Sequence, residues 1–285
     1  MVKTKEDFIK NLQEFAKTLT EYVSYNSGDW RIKGFIDIDK SIYSISSDTK
    51  IISKILEIQL FPKFKEFADS IGYKIVLAEH QNWYPDLSFV NKEDESIKFA
   101  VDIKTTYRIR RKGYCNKFTL GSHGKYFRDR TSTKNVQYPY GDYTAHVCLG
   151  IIYTRAKIED IDETVIVEID NIDTLSSVIK DLIFFVQEKW LIASDKSGSG
   201  NTANIGSINH IESLVNGNGT FVNLGEKWFD EYWIDYDKID QKDKEGKPVR
   251  TKNDKIKKIT DLKSYLEYRG EPTDKINNLK IKSKK

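Results

Sequence analysis

Long apolar runs are missing from this chain. No stretch of about 18 apolar residues occurs, so no membrane-spanning helix and no membrane partner are expected. The opening MVKTKEDF has no apolar segment of the kind that begins a secretory leader. Cysteine is scarce: Cys115 and Cys148 are the two present, without a Cys-x-x-Cys, which argues against a disulfide framework or a thiolate zinc site. The four histidines, His80, His123, His146 and His210, lie far apart in sequence. A reducing, cytoplasmic setting is the expectation. Proline is also rare, at five residues, and no long Gly/Ser tract interrupts the chain. With 39% hydrophobic and 12% aromatic residues there is ample material for a core, and global disorder is not expected. A length of 285 residues suits one large domain with at most a small appendage.

Charge of one sign is absent overall, since the formal net charge is only +3, but it is unevenly spread. Lys104, Arg108, Arg110, Arg111, Lys112, Lys117, Lys125, Arg128, Arg130 and Lys134 face a single acid, Asp129, over residues 104–134. Such a run suits a polyanion, because each neutralised phosphate releases condensed counterions. A solvated basic face would read the same way.

Residues 4–24 show helical spacing of Phe8, Leu12, Phe15 and Leu19, with Thr4 and Asp7 placed as a capping pair. Residues 32–45 read as a hairpin around Asp39-Lys40. A second helix starts at Ser47 or Asp48 and carries Ile51, Ile52, Ile55, Leu56 and Ile58, with Pro62 expected to kink or end it. Strands are expected at 73–78, 87–90, 97–103, 146–153 and 165–169, the last two mostly buried, and at 190–193. Residues 175–185 fit a helix, 194–207 a Gly/Ser/Asn-rich loop, and Phe229, Trp233 and Tyr236 a later helix. Residues 237–257 read as a charged, turn-rich insertion. The order predicts an α+β fold with a central mixed β-sheet flanked by helices. One domain over 1–270 is expected, with a helix and hairpin at about 4–45, and a basic, flexible tail at 271–285.

The segment that carries chemistry is Tyr84-Pro85-Asp86, followed after fifteen residues by Asp102-Ile103-Lys104. On a strand, Asp102 and Lys104 point to one face, and Val101 and Ile103 to the other. A hairpin partner would set Asp86 beside Asp102. Two carboxylates and an ammonium at a sheet end are what phosphodiester hydrolysis needs. Carboxylates hold Mg²⁺, a hard cation that prefers oxygen. The cation activates water and phosphoryl oxygen, and the ammonium stabilises charge or handles the water's proton. A bare Asp-x-Lys is common on edge strands; the upstream Pro-Asp, the flanking strands and the basic run distinguish this one.

These residues do not stand alone. SDTK (47–50), QNWYPDLSF (81–89), AVDIKTTY (100–107), KFTLG (117–121), TKN with YP (133–139), YTAH (143–146), IYTR (152–155), GSGNTANIGSI (198–208) and YRG (268–270) appear in order. In these stretches the chain resembles the EcoRV family of type II restriction endonucleases, of the PD-(D/E)XK kind, closely over about 30–210 and loosely beyond.

The resemblance implies a restriction-endonuclease-like fold and a Mg²⁺-dependent homodimer, with Mn²⁺ able to substitute and no small-molecule cofactor. The dimer would cut both strands of double-stranded DNA at a short palindrome, GATATC with blunt ends. It also implies that Asp86 and Asp102 bind metal with the Ile103 main-chain carbonyl, that Lys104 is catalytic, and that Glu57 serves a second metal position. Gly198, Ser199, Gly200, Asn201, Thr202, Ala203 and Asn204 match the family's major-groove loop. There glycines allow close backbone approach and polar groups read base edges. His80, Gln81 and Asn82 match its minor-groove loop, and Thr105, Thr106, Thr119 and Lys134 its phosphate-contacting or supporting positions. The N-terminal helix and hairpin match its dimer contact; from sequence alone they could equally be core. Departures are Ala203 for a threonine, His80 for a glutamine, Trp83 for a histidine, a longer and more basic 108–132, and residues 238–252 and 271–285 without counterpart. Two other readings stay open: a structure-specific or repair nuclease on the same fold, which would lack the base-reading loop, and a catalytically silent DNA-binding protein, which would not need the intact Asp/Asp/Lys set.

Overall fold

The computed structural model describes residues 2–80, 82–157, 161–198, 201–243 and 245–277. In chain order the elements are α1 (Lys5–Val23), β1 (Gly34–Ile36), β2 (Ser41–Ser44), α2 (Thr49–Ser70), β3 (Tyr73–Leu77), β4 (Leu87–Asn91), β5 (Lys98–Tyr107) and β6 (Thr119–Ser122). They continue with β7 (Ala145–Arg155), β8 (Ile166–Glu168), β9 (Ile179–Glu188), β10 (Ala193–Gly198), β11 (Asn201–Ser207), α3 (Ile211–Val215), α4 (Glu226–Asp235) and α5 (Leu262–Arg269). None of the helices among the described residues is long and apolar enough to cross a membrane. Contacts group the chain into two compact units, each assembled from three segments: 1–79, 85–116 and 143–186 in the first, and 80–84, 117–142 and 187–285 in the second.

The first unit is built on a five-stranded sheet in the order β3-β4-β5-β7-β9. β3, β4 and β5 form an antiparallel meander, whereas β5 and β7 run parallel, so the sheet is mixed as expected. Odd-numbered residues of β5 and β7, among them Val101, Ile103, Val147 and Leu149, join the buried cluster with α1 and α2. At one end of that core Phe8 stacks on Phe99 at 4.0 Å and meets Phe89 edge-on at 5.3 Å. α1 begins as its sequence requires: the Thr4 hydroxyl accepts from the Asp7 amide at 3.1 Å, and Phe8, Leu12 and Leu19 are fully buried. Asp48 caps α2 through the Lys50 and Ile51 amides, while Ile51 and Ile58 remain exposed.

Five expectations need correction, the last of them in the second unit. Pro62 does not end α2, which runs on to Ser70. A proline costs about 3 kcal/mol inside a helix, and burial of Phe64, Phe67 and Ala68 beyond it, at roughly 1.5–3 kcal/mol for each large side chain, offsets that. The segment 175–185 is not a helix; it leads into strand β9. Asp181 has φ +54°, and this left-handed residue interrupts the strand alternation. Ile179 and Leu182 therefore both join the main core, Phe185 is buried on the other face against Gly150, and the resulting spacing of three imitates a helix. Residues 190–192 belong to a 3₁₀ turn, Lys189–Ile192, instead of a strand. β8 is exposed, not buried, because it pairs with β2 in a separate small sheet, β1-β2-β8.

The second unit carries the sheet β10-β11-β6 and helices α3 to α5, with Phe229, Tyr232 and Trp233 buried on α4. The expected Gly/Ser/Asn loop at 194–207 is largely an antiparallel β10/β11 hairpin with register shifts. Within the expected insertion, backbone hydrogen bonds run from Gln241 N–H to the Lys257 carbonyl, from Lys257 N–H to Val249 and from Val249 N–H to Gln241, each 2.8 Å. Of the expected tail, residues 278–285 lie outside the described residues.

Candidate active site

Register builds the site. Leu87 at the start of β4 pairs with Val101, which places Asp86 opposite Asp102 and Pro85 opposite Ile103. Proline has no N–H to continue the ladder. The Ile103 amide instead donates to Asp86 Oδ2 at 2.7 Å, which fixes that carboxylate at the strand end. Alternation then turns Asp102 and Lys104 to the same face. Lys104 Nζ lies 2.8 Å from Asp102 Oδ2 and 3.6 Å from Asp86 Oδ2. Across the parallel pair, Lys104 is in register with Gly150. A Cβ on Gly150 would come within 2.0 Å of the Phe185 ring, so the glycine makes room for an apolar wall beside the lysine.

This packing sets the electrostatics. Asp102 is buried at 5% exposure. Burial pushes the Asp86 carboxyl up to about 7, and the neighbouring Asp102 charge adds to that against the opposing pull of Lys104 and the Ile103 amide. For Lys104 burial alone would lower the pKa, but Asp102 and then Asp86 outweigh it, and the net shift is upward. Lys104 is therefore held as the ammonium. Two carboxylates and one cation leave the site anionic when both acids ionise, and the carboxylates offer it oxygen donors. That donor set fits a hard divalent cation, which binds through one or two carboxylates and keeps several waters. Asp86 and Asp102 would hold it.

The other expected residues distribute as follows. Glu57, on α2, pairs with Lys54 at 2.9 Å, and among the described residues no group of three or more His, Cys, Asp or Glu side chains forms a metal cluster. Thr105 is half-buried beside the cluster on β5. Thr106 is buried and donates to the Asn116 carbonyl at 2.7 Å, which marks it as a support for the strand. Thr119 lies on β6 in register with Gly206. Gly198 ends β10, where a Cβ would approach the Thr119 methyl to 2.5 Å. The exposed Ala203 accepts from the His123 amide at 3.0 Å, and Asn204 pairs with Ser122. Asn201 and Thr202 open β11. Ser199, Gly200 and Gln81 lie outside the described residues. His80 and Asn82 are exposed, with His80 edge-on to Trp83 at 4.6 Å. Lys134 is exposed.

Sequence reading missed the aromatic packing around Tyr84. In the second unit Tyr84 stacks on Tyr126 at 5.4 Å and Tyr140 at 5.7 Å, the Lys189 ammonium sits 4.2 Å over its ring, and its amide donates to the Asn135 carbonyl. The sequence carries no local signal for this packing. The basic run is also thinner than its count. Arg108 is taken up by Thr154 and the Asp181 carbonyl, Arg128 by the Tyr236 carbonyl, and Arg130 by Asp230 at 2.6 Å.

Residues 26–270 match the family described as Restriction endonuclease EcoRV. The chain belongs to the EcoRV family of type II restriction endonucleases. It is therefore a nuclease, and dependence on a divalent metal comes with membership. The type II restriction enzyme EcoRV of Escherichia coli is 35% identical over 238 residues, 83% of this chain and 91% of that protein. Among solved structures, the NlaIV restriction endonuclease aligns with a TM-score of 0.35 and 21% identity over 66% of this chain. The aligned part spans 60% of that enzyme's length, and a likeness this low carries no argument.

Proposed function

We propose that this EcoRV-family enzyme is a Mg²⁺-dependent homodimer that hydrolyses one phosphodiester bond in each strand of duplex DNA at a short palindrome, GATATC cut to blunt ends. The observation that carries the reading is the cluster in which Lys104 lies within 3.6 Å of both Asp86, just before β4, and Asp102, on β5. Asp86 and Asp102, with the Ile103 carbonyl, are the residues to hold Mg²⁺, and Mn²⁺ substitutes. When bound, such a cation polarises a phosphoryl oxygen and makes water more acidic. Lys104, held as an ammonium, offers its N–H groups to the charge that grows on the phosphoryl oxygens. Glu57 serves a secondary metal position. Gly198 to Asn204 read base edges from the major groove, and His80, Gln81 and Asn82 approach from the minor groove. Thr105, Thr106, Thr119 and Lys134 orient or support the phosphate contacts.

Two equivalent scissile bonds in a palindrome call for two active sites related by a two-fold axis. The β1-β2-β8 sheet supports such an assembly. Phe35, Ile36, Tyr43, Ile166 and Ile169 stand 43–59% exposed on or beside it, and Ile38 in its turn 96% exposed. A clustered apolar surface of this kind marks an interface. The test is incubation of purified protein with a sequenced plasmid, with and without Mg²⁺. Discrete fragments that need Mg²⁺ support the reading. Smearing favours a structure-specific nuclease, and retardation without cutting a silent DNA binder.

A further inference from the structure

The chain leaves β5 through a short, tightly held turn. The Arg108 amide still donates to the Tyr153 carbonyl of β7 at 2.8 Å, and Arg108 then bridges Cys115 in antiparallel fashion. The Ile109 amide donates to the Tyr114 carbonyl at 3.1 Å, the Tyr114 amide donates to the Arg111 carbonyl at 3.1 Å, and Gly113 takes φ +82°. Buried Tyr114 and Cys115 pin the base. The tip, Arg110-Arg111-Lys112, is exposed at all three positions, and among the described residues none of the three forms an ion pair. Arg111 lies over the Tyr114 ring at 4.0 Å, which orders its planar guanidinium without satisfying its hydrogen-bond donors. Three cations without an ion pair on an anchored turn contrast with Arg130, paired with Asp230, and with Arg108 and Arg128, whose guanidinium donors are spent on oxygens of the fold.

Position says what the tip meets. Arg110 lies six residues beyond Lys104, three past the end of β5, and at about 3.3 Å per extended residue this puts it at most roughly 20 Å from the catalytic ammonium. Duplex DNA advances about 3.4 Å per base pair. A cation up to roughly 20 Å from the scissile phosphate can reach as far as about six base pairs along a duplex, whereas half of a centrally cut hexamer extends only about three. The geometry points to the Arg110–Lys112 turn as a clamp on backbone phosphates that flank the recognised sequence. The clamp contributes affinity without reading bases. This inference rests on the DNA-cleaving reading above.

The experiment uses the full-length protein and a triple substitution, Arg110→Gln, Arg111→Gln and Lys112→Gln. Two duplexes of about 10 and about 30 base pairs are centred on the hexamer at which the wild-type enzyme cuts plasmid DNA. Binding is measured in Ca²⁺ over a salt series, and cutting in Mg²⁺. On the long duplex the variant should bind at least roughly 10-fold more weakly near 0.1 M salt, with a log–log salt slope shallower by up to about 0.9 per contacted phosphate. On the short duplex it should bind and cut like wild type, which also certifies its fold. A variant that matches wild type on the long duplex overturns the clamp, and so does one weakened equally on both. If the wild-type protein cuts no DNA at all, the cleavage reading fails and takes the clamp with it.

Discussion

Replacing Asp86 with asparagine separates what the site costs in stability from what it does. A carboxyl that titrates near 7 in the folded chain, against 3.8 ordinarily, binds its proton more tightly when folded. Stability is then fullest at low pH and is lost as pH rises from about 4 through 7, where folding must keep an anion in a desolvated place beside Asp102. That gap corresponds to at most about 4 kcal/mol. The Asp86 side chain is 32% exposed, however, and solvent screening brings the expected effect to the order of 1–2 kcal/mol. Asp86→Asn keeps an oxygen for the Ile103 amide and leaves Lys104 its Asp102 partner at 2.8 Å. In EDTA the variant should melt with wild type near pH 4 and roughly 2–5 °C above it near pH 8. Millimolar Mg²⁺ should reverse the order at high pH, because only wild type retains both carboxylates for the ion. Calorimetry at several pH values decides the matter. A variant less stable than wild type at pH 8 in EDTA, or a difference independent of pH, would refute the electrostatic reasoning.

Four further outcomes are expected. Asn201→Ala or Thr202→Ala should cost about 1–3 kcal/mol of discrimination per lost base contact, with non-specific binding kept, and wild-type cutting by both variants would move specificity elsewhere. Lys134→Ala should weaken binding on all sequences and flatten the salt slope, a contrast measurable on the same duplexes. Ile36→Asp with Ile38→Asp should shift the enzyme from dimer to monomer in sedimentation and sharply reduce double-strand cutting; an unchanged dimer would remove β1-β2-β8 from the interface. Glu57→Ala should slow single-turnover cleavage less than any change at Asp86, Asp102 or Lys104, and a loss as deep as theirs would place it in the main cluster.

The legible parts of this chain are those in which local rules and tertiary demands agree. Thr4 caps α1 and Asp48 caps α2 as their neighbours require, and the alternation of Asp102, Ile103 and Lys104 gives the site its correct face. Even the meeting of Asp86 and Asp102 follows from a hairpin and a proline that cannot extend it. Legibility fails where distant partners decide. Asp181 in a left-handed conformation shifts the parity between Ile179 and Leu182, and Phe185 is buried on the other face, so the buried positions of β9 copy a helical spacing. β10 and β11 are too polar to announce strands, and β11 pairs with β6, 81 residues earlier in the case of the Ser122–Ala203 contact. The basic run counts ten charges, yet Arg128 and Arg130 answer to Tyr236 and Asp230, about a hundred residues away.

The central claim is that Asp86, Asp102 and Lys104 act as one catalytic unit, and single-turnover cleavage by Asp102→Ala tests it most directly. Asp102 is the buried member and touches the lysine. With saturating enzyme on a duplex carrying the cleavage site, the rate in Mg²⁺ should fall by at least ~10²–10³, because residues that work as a unit fail together. A folded variant that still cuts at close to the wild-type rate would contradict the claim and place the chemistry elsewhere in the molecule.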